Sequence, residues 1–210
     1  MFEDREEAGR LLARRLAEYR SKDAVVYALP RGGVVLGFEV ARFINAPLDL
    51  IIVRKVGHPS NPEYAICAVT EKGKPIYNEK EREALNPAWL DKEIIKEREE
   101  AKRRREKYLK NRKHYPARGK IAIVVDDGVA TGLTLMVALR SIREEAPREL
   151  IVAVPVIPRD MADTFRALAD KTVFLKEEEY YLGAVGAYYQ NFPQVTDEEV
   201  IELLEQNVLN

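Results

Sequence analysis

With 34 Lys or Arg against 35 Asp or Glu in 210 residues, the chain has a formal net charge of -1, so no global charge draws it to nucleic acid or a membrane surface. The length can bury a full core as one domain, with room for a subdomain, and 46% hydrophobic with 33% charged residues is a globular rather than a disordered balance. The single Cys67 excludes an internal disulfide and a cysteine-built zinc cluster, which sets a cytoplasmic expectation.

Residues 1–20 carry acids and arginines throughout and read as neither a signal peptide nor a membrane span. Within residues 2–19, Leu11, Leu12, Leu16 and Tyr19 fall at helical spacing, which predicts a covering helix. Residues 24–29 form a short apolar run of strand type. Pro30-Arg31-Gly32-Gly33 breaks it, and helical periodicity resumes over 34–43. Gly32 and Gly33 let the backbone approach a ligand and Arg31 supplies a fixed positive charge suited to phosphate; taken alone, the four residues also read as an ordinary Pro-Gly turn.

Residues 48–53 are the next strand, followed directly by Arg54 and Lys55. At the carboxyl end of a parallel strand, two cations face the ligand side and would hold a polyanion; the plainer reading is a solvated basic pair. Residues 58–63 contain two prolines three apart, which excludes regular structure there. A strand pair over 65–70 and 75–77 follows, around the turn 71–74.

Asn86-Pro87 is a helix start, with Asn as N-cap and Pro in the first position. The helix runs through Trp89, Leu90, Ile94 and Ile95 into the charged stretch 96–113. Lys102, Arg103, Arg104 and Arg105 invite a nucleic-acid reading, but Glu93, Glu97, Glu99, Glu100 and Glu106 are interleaved with them. A solvent-exposed, salt-bridged helix explains that pattern.

Residues 121–134 read IAIVVDDGVATGLT. A buried parallel strand ends abruptly in Asp126 and Asp127, and a small-residue turn leads into the apolar periodicity of Leu135, Val137 and Leu139. Gly128, Ala130 and Gly132 leave the backbone uncluttered, and Thr131 and Thr134 add hydroxyls, so successive N–H groups can wrap a phosphate at the helix N-terminus. Two carboxylates would repel that phosphate unless they face sugar hydroxyls or a divalent cation. No Lys follows Gly132 and no G-x-G-x-x-G is present, so neither the Walker loop nor the dinucleotide fingerprint applies.

Residues 150–156 are another buried strand, Pro158 and Asp160 begin a helix through Leu168, and 172–175 closes the sheet series. The glycine-broken aromatic stretch 180–192 precedes a C-terminal helix over 197–209. Alternating strands and helices without an internal repeat give one doubly wound α/β core.

The stretch VVDDGVATGLT resembles the phosphoribosyl-pyrophosphate (PRPP) signature of type I phosphoribosyltransferases, in which hydrophobic residues precede two acids and a Thr/Gly-rich phosphate loop. The resemblance implies the α/β, doubly wound, mostly parallel sheet of that family in one domain over 1–210, with a helical and hairpin insert at about 55–118 and a small C-terminal hood at about 176–195. Asp126 and Asp127 would then hold the ribose 2′- and 3′-hydroxyls. Gly128, Val129, Ala130, Thr131, Gly132, Leu133 and Thr134 would hold the 5′-phosphate, and Arg31, Gly32, Gly33, Arg54 and Lys55 the pyrophosphate.

The insert corresponds to the family's mobile loop, where Glu63 is a candidate contact to the acceptor or a metal-bound water. Tyr181 and Tyr188 lie where the family stacks a nucleobase; the same aromatics also read as a cluster packing the C-terminal helix.

The implied reaction moves ribose 5-phosphate from PRPP to a nucleobase or related nitrogen acceptor and releases pyrophosphate, in nucleotide and nucleoside metabolism. Asp126, Asp127, Arg31 and Lys55 are the catalytic candidates. Mg2+ is the implied cofactor, with no side chain assigned to it beyond Asp126 and Asp127 as candidates. Hypoxanthine-guanine enzymes carry a third Asp where this chain has Ala130, and the acceptor stays unassigned. The implied partners are PRPP and the acceptor, with no membrane and no nucleic acid, and a homodimer is left open. The alternative is a PRPP-sensing regulator of the same fold that binds RNA or DNA through helix 92–113.

Overall fold

The computed structural model describes residues 1–82, 85–110, 112 and 114–207, with the side chains of Pro62, Glu63 and Glu79 outside the description. Helix α1 (Arg5–Arg15) opens it, with the Asp4 side chain accepting from the Glu7 N–H as N-cap. Strand β1 (Ala24–Ala28), helix α2 (Gly32–Ile44) and strand β2 (Leu48–Leu50) form the first β-α-β unit. A second set follows: β6 (Ile121–Val125), α5 (Leu133–Glu144), β7 (Glu149–Pro158), α6 (Arg159–Leu168) and β8 (Lys171–Glu178). Between the two sets lie β3 (Val53–His58), β4 (Asn61–Thr70), β5 (Ile76–Tyr77), α3 (Glu79–Arg82) and α4 (Pro87–Leu109), and α7 (Asp197–Gln206) comes last.

The five core strands are all parallel, in the order β2-β1-β6-β7-β8. Strands β1 and β6 are buried at every position because helices cover both faces. Ala24, Val26 and Ala28 pack into one cluster with residues of α1, α2 and α7, while Val25 and Tyr27 pack into a second with residues of α5 and α6. The chain winds from β1 to one edge and from β6 to the other. The order therefore reverses between β1 and β6, and a doubly wound sheet opens its ligand crevice at the carboxyl ends of those two strands.

The insert is a three-stranded antiparallel sheet, β3-β4-β5, under the N-terminal half of α4. Val56, Ile66, Cys67 and Val69 from the sheet pack on Leu90 and Ile94. Asn86 caps α4 as expected, its side chain accepting from Ala88 N–H and Trp89 N–H.

Several expectations change. The parallel strand expected over 48–53 stops at Leu50, and Val53 already begins the antiparallel sheet. Arg54 and Lys55 therefore lie within β3, where side-chain alternation sends them to opposite faces. The prolines at 59 and 62 do not exclude regular structure. The β3–β4 register passes from Gly57↔Ala65 to His58↔Asn61 with an irregularity between them, the kind of place where a strand tolerates proline. Helix α4 ends at Leu109, with Lys113 outside the described residues. Helix α7 ends at Gln206, and residues 208–210 also lie outside them. The last strand reaches Glu178 rather than 175.

Candidate active site

The loop after β1 and the loop after β6 meet at the switch point. The first holds a cis peptide between Pro30 and Arg31, and Gly32 and Gly33 form the opening turn of α2. The second places Asp126 and Asp127 directly after β6 and ends at Gly132, whose left-handed backbone (φ 73°) starts α5 without a side-chain cap. The first N–H groups of α5 consequently have no side-chain acceptor from the cap residue. A Cβ on Gly132 would also stand 2.2 Å from Met161 Cε, so both the turn and the packing require glycine.

The two loops touch. A Cβ on Gly33 would lie 3.0 Å from Asp126 Cα, and one on Gly32 would collide with the Asp127 carboxylate. Asp126 Oδ1 accepts the Asp127 N–H at 2.9 Å. Burial and the adjacent Asp127 carboxylate push the Asp126 carboxyl well above its usual range, against the opposing charges of Arg5 and Lys55. Burial also raises Asp127, with Arg5 pulling the other way. Two adjacent buried carboxyls thus resist carrying charge together, a conflict that hydroxyl donors or a cation would relieve.

The remaining anticipated residues are placed unevenly. Lys55 is exposed, and its charge acts on Asp126. Arg54 turns to α4, its Nε 2.7 Å from Glu97 Oε2. Arg31 Nη1 stands 3.7 Å from Asp197 Oδ1 at the start of α7. Ala130 and Thr131 are exposed, Val129 is buried, and Gly128, Leu133 and Thr134 are half-buried.

In the aromatic stretch Tyr188 is a core residue, 4% exposed, and its hydroxyl accepts the Leu182 N–H. Its ring therefore has no open face for stacking. Tyr181 is half-buried with its ring 5.3 Å from that of Tyr188. The Tyr181 hydroxyl is buried without a hydrogen-bond partner among the described residues, and burial, then Tyr188 and Asp127, push it up to about 12.

Arg5 was not anticipated, and Tyr189 and Phe192 were expected only as members of the aromatic stretch. Arg5, 10% exposed in its side chain, bonds Asp127 Oδ2 through Nε at 2.8 Å. Tyr189 donates its hydroxyl to the Asp127 carbonyl at 2.6 Å. Phe192 lies under the Arg5 guanidinium, 3.6 Å from ring centroid to Cζ. A signal for Arg5 was present: it falls in helical phase with Ala8, Gly9 and Leu12 on the buried face of α1, where an unpaired cation does not persist.

Cations of the basic helix are paired, some within the helix and some with α7. Glu100 pairs with both Arg103 and Arg104, Lys107 with Asp197, and Lys110 with Glu205. Arg105 reaches Asp49 of β2, 1% exposed, which also accepts from His114. Burial opposes its charge, yet His114, Arg105 and the N–H groups of Tyr115 and Leu50 hold the Asp49 carboxyl below its usual range. A cavity of about 210 Å³ beside this network is lined in part by groups that already satisfy one another, such as Arg105, which also donates to the Leu50 carbonyl.

Comparison with known proteins agrees with the geometry. The model of the phosphoribosyl transferase domain family matches residues 3–191. Two Mycobacterium tuberculosis proteins, from strains H37Rv and CDC 1551, carry names that give phosphoribosyl transferase as an inferred activity. Each is 40% identical over 208 residues, covering 98% of this chain and 47% of its own length. The chain thus spans about half the length of these curated relatives. The crystal structure of TT1426 from Thermus thermophilus is 39% identical and superposes over 99% of both chains with a TM-score of 0.84.

Proposed function

The chain belongs to the phosphoribosyl transferase domain family, and from that premise we propose that it transfers ribose 5-phosphate from PRPP to a nitrogen acceptor, a nucleobase or a related small heterocycle. The observation that carries the reading is the meeting of the Asp126–Asp127 pair with the Pro30–Gly33 loop and the uncapped start of α5 at one crevice.

Each part matches one part of PRPP. Asp126 and Asp127 accept hydrogen bonds from the ribose hydroxyls. Backbone N–H groups of residues 128–134 and the positive end of α5 take the 5′-phosphate. Gly32 and Gly33 bring the loop backbone to the pyrophosphate, where Arg31 and Lys55 supply charge. The transition state has ribosyl oxocarbenium character, so the chain acts by orienting the sugar, stabilising the departing pyrophosphate and keeping water out. No side-chain nucleophile is needed, which leaves Cys67 outside the chemistry.

The adjacent carboxyls of Asp126 and Asp127 suit a divalent cation. Among the described residues no group of three or more acidic, His or Cys ligands forms a cage; Asp126 and Asp127 are the side chains that would face a bound Mg2+. When bound, the ion would neutralise charge on the pyrophosphate. The paired cations of α4 favour this transferase reading over a regulator that binds RNA or DNA. Also, no helix among the described residues is long and apolar enough to cross a membrane.

The test is binding. PRPP with Mg2+ should raise the melting temperature by an amount that grows with its concentration. The acceptor is then found by screening bases for pyrophosphate release. No shift at saturating PRPP, with or without Mg2+, would overturn the proposal.

A further inference from the structure

Arg5 is a charged residue at a core-facing position of α1, and its guanidinium is engaged in three directions. Nε holds Asp127 Oδ2 at 2.8 Å, Nη1 donates to the Pro193 carbonyl at 2.7 Å, and the guanidinium plane covers Phe192. A Cβ on Gly32 would come within 2.8 Å of Arg5 Nε, so the cis loop packs on it as well. One side chain thus touches the acid pair, the loop after β1 and the segment after β8.

The chain around Arg5 reinforces the link. Phe2 N–H donates to the Tyr188 carbonyl, Gln190 N–H to the Phe2 carbonyl and Asn191 N–H to the Glu3 carbonyl. Tyr189 reaches Asp127 from the other side. Residues 2–5 therefore lie between the aromatic segment and the acids, bonded to both.

Stability alone does not call for this arrangement. A buried ion pair is commonly no better for folding than apolar side chains of the same volume. What Arg5 supplies is direction: by binding one oxygen of Asp127 it fixes the plane of the carboxylate, and the planar fork holds that plane in register with the aromatic segment.

We infer that Arg5 is a positioning residue of the site: it orients Asp127 toward the ribose hydroxyls and makes the ribose-binding and hood sides of the crevice one connected unit. The inference rests on the PRPP reading.

The experiment measures binding of PRPP and of inorganic pyrophosphate, each with Mg2+, to the parent and to Arg5→Gln, Arg5→Lys and Asp127→Asn. Each ligand is also measured without Mg2+, where pyrophosphate presents neither a ribose nor a bound cation to Asp127, and that comparison decides the test. Arg5→Gln should weaken PRPP about tenfold or more while pyrophosphate binding stays within about twofold of the parent, reproducing the selectivity of Asp127→Asn.

Lysine keeps the charge but cannot span Asp127 and Pro193 together, so Arg5→Lys should show the same selective loss in smaller measure. It carries the test if the Gln variant does not fold. Parent-like PRPP binding by the folded Arg5 variants, or equal loss of both ligands, would overturn the role. A parent that binds neither ligand would overturn the functional reading first, and this role with it.

Discussion

Gly32 and Asp127 approach so closely that a Cβ built on the glycine would lie 1.9 Å from the carboxylate Oδ2. Gly32→Ala must therefore drive the carboxylate off Arg5 or move the loop. The expected cost is about 1–3 kcal/mol of stability from overpacking, together with loss of PRPP binding. Thermal unfolding and calorimetry on one preparation check both. PRPP binding at parent strength by this variant would separate the loop from the acids as functional parts.

Arg54 and Lys55 are neighbours in sequence with different expected effects. Removing the Arg54 side chain breaks its pair with Glu97 and should cost about 1–2 kcal/mol of stability without a specific effect on pyrophosphate. Lys55→Ala should leave the melting temperature near the parent and weaken pyrophosphate. Chemical denaturation and pyrophosphate titration of both variants decide the assignment, which fails if the two effects are exchanged.

Asp126→Asn and Asp127→Asn keep the shape of the acid pair and remove charge. PRPP affinity should fall in both. Asp126→Asn also relieves a buried carboxylate facing Asp127, so the unliganded variant should melt higher at neutral pH, by about 2–4 °C for each kcal/mol relieved. A variant that melts lower and binds PRPP like the parent would contradict both halves.

Asp197 carries a prediction in acid. Hydrogen bonds from Lys107 and Tyr108 hold its carboxyl down at about 2, against 3.8 for an unperturbed carboxyl. A carboxyl lowered by folding contributes stability that is complete above its unfolded pKa and is lost as the pH falls through the folded value. The parent should therefore lose more stability than Asp197→Asn between about pH 4 and pH 2. At neutral pH the substitution should cost no more than about 1 kcal/mol, because the pairs are partly exposed. Parallel acid limbs for the two proteins would rule out this contribution.

The two hood tyrosines should separate. Tyr188→Ala empties a core position and should cost about 3–5 kcal/mol. Tyr181→Phe removes a buried hydroxyl without a partner, so its stability should equal or exceed that of the parent. If the Tyr181 ring stacks on the acceptor, Tyr181→Ala should remove about 1–3 kcal/mol of acceptor binding and leave PRPP binding unchanged. Unfolding titrations and acceptor binding measure these, and an Ala variant neutral toward every acceptor that the parent binds would place that site elsewhere.

The core strands and the acid motif were legible because apolar, β-branched runs such as 121–125 have one simple structural solution when helices cover both faces. The β3–β4 hairpin was not, since Pro59 lies in its turn and Pro62 beside a register irregularity that no local rule reveals. Arg54 and Lys55 were misplaced for a related reason: the strand ended three residues early, and alternation then divided the pair. Tyr188 illustrates the limit for aromatics, because composition does not show which face of a ring the core takes. Arg5 was detectable from helical phase alone, but its partners lie 122 and 188 residues away, a distance at which sequence spacing carries no signal.

Cys67 sits between the antiparallel sheet and α4, fully buried, with its thiol pushed up to about 12 by burial. A thiol that is neither ionised nor reachable reacts only when something uncovers it. Since the covering layer is the N-terminal half of α4 with Tyr77 of β5 and not the parallel sheet, its alkylation rate under native conditions is a clock for the opening of the insert. With a single cysteine in the chain, no other residue contributes to the count. The opening frequency of the insert can thus be timed, with and without ligand, in the unmodified protein.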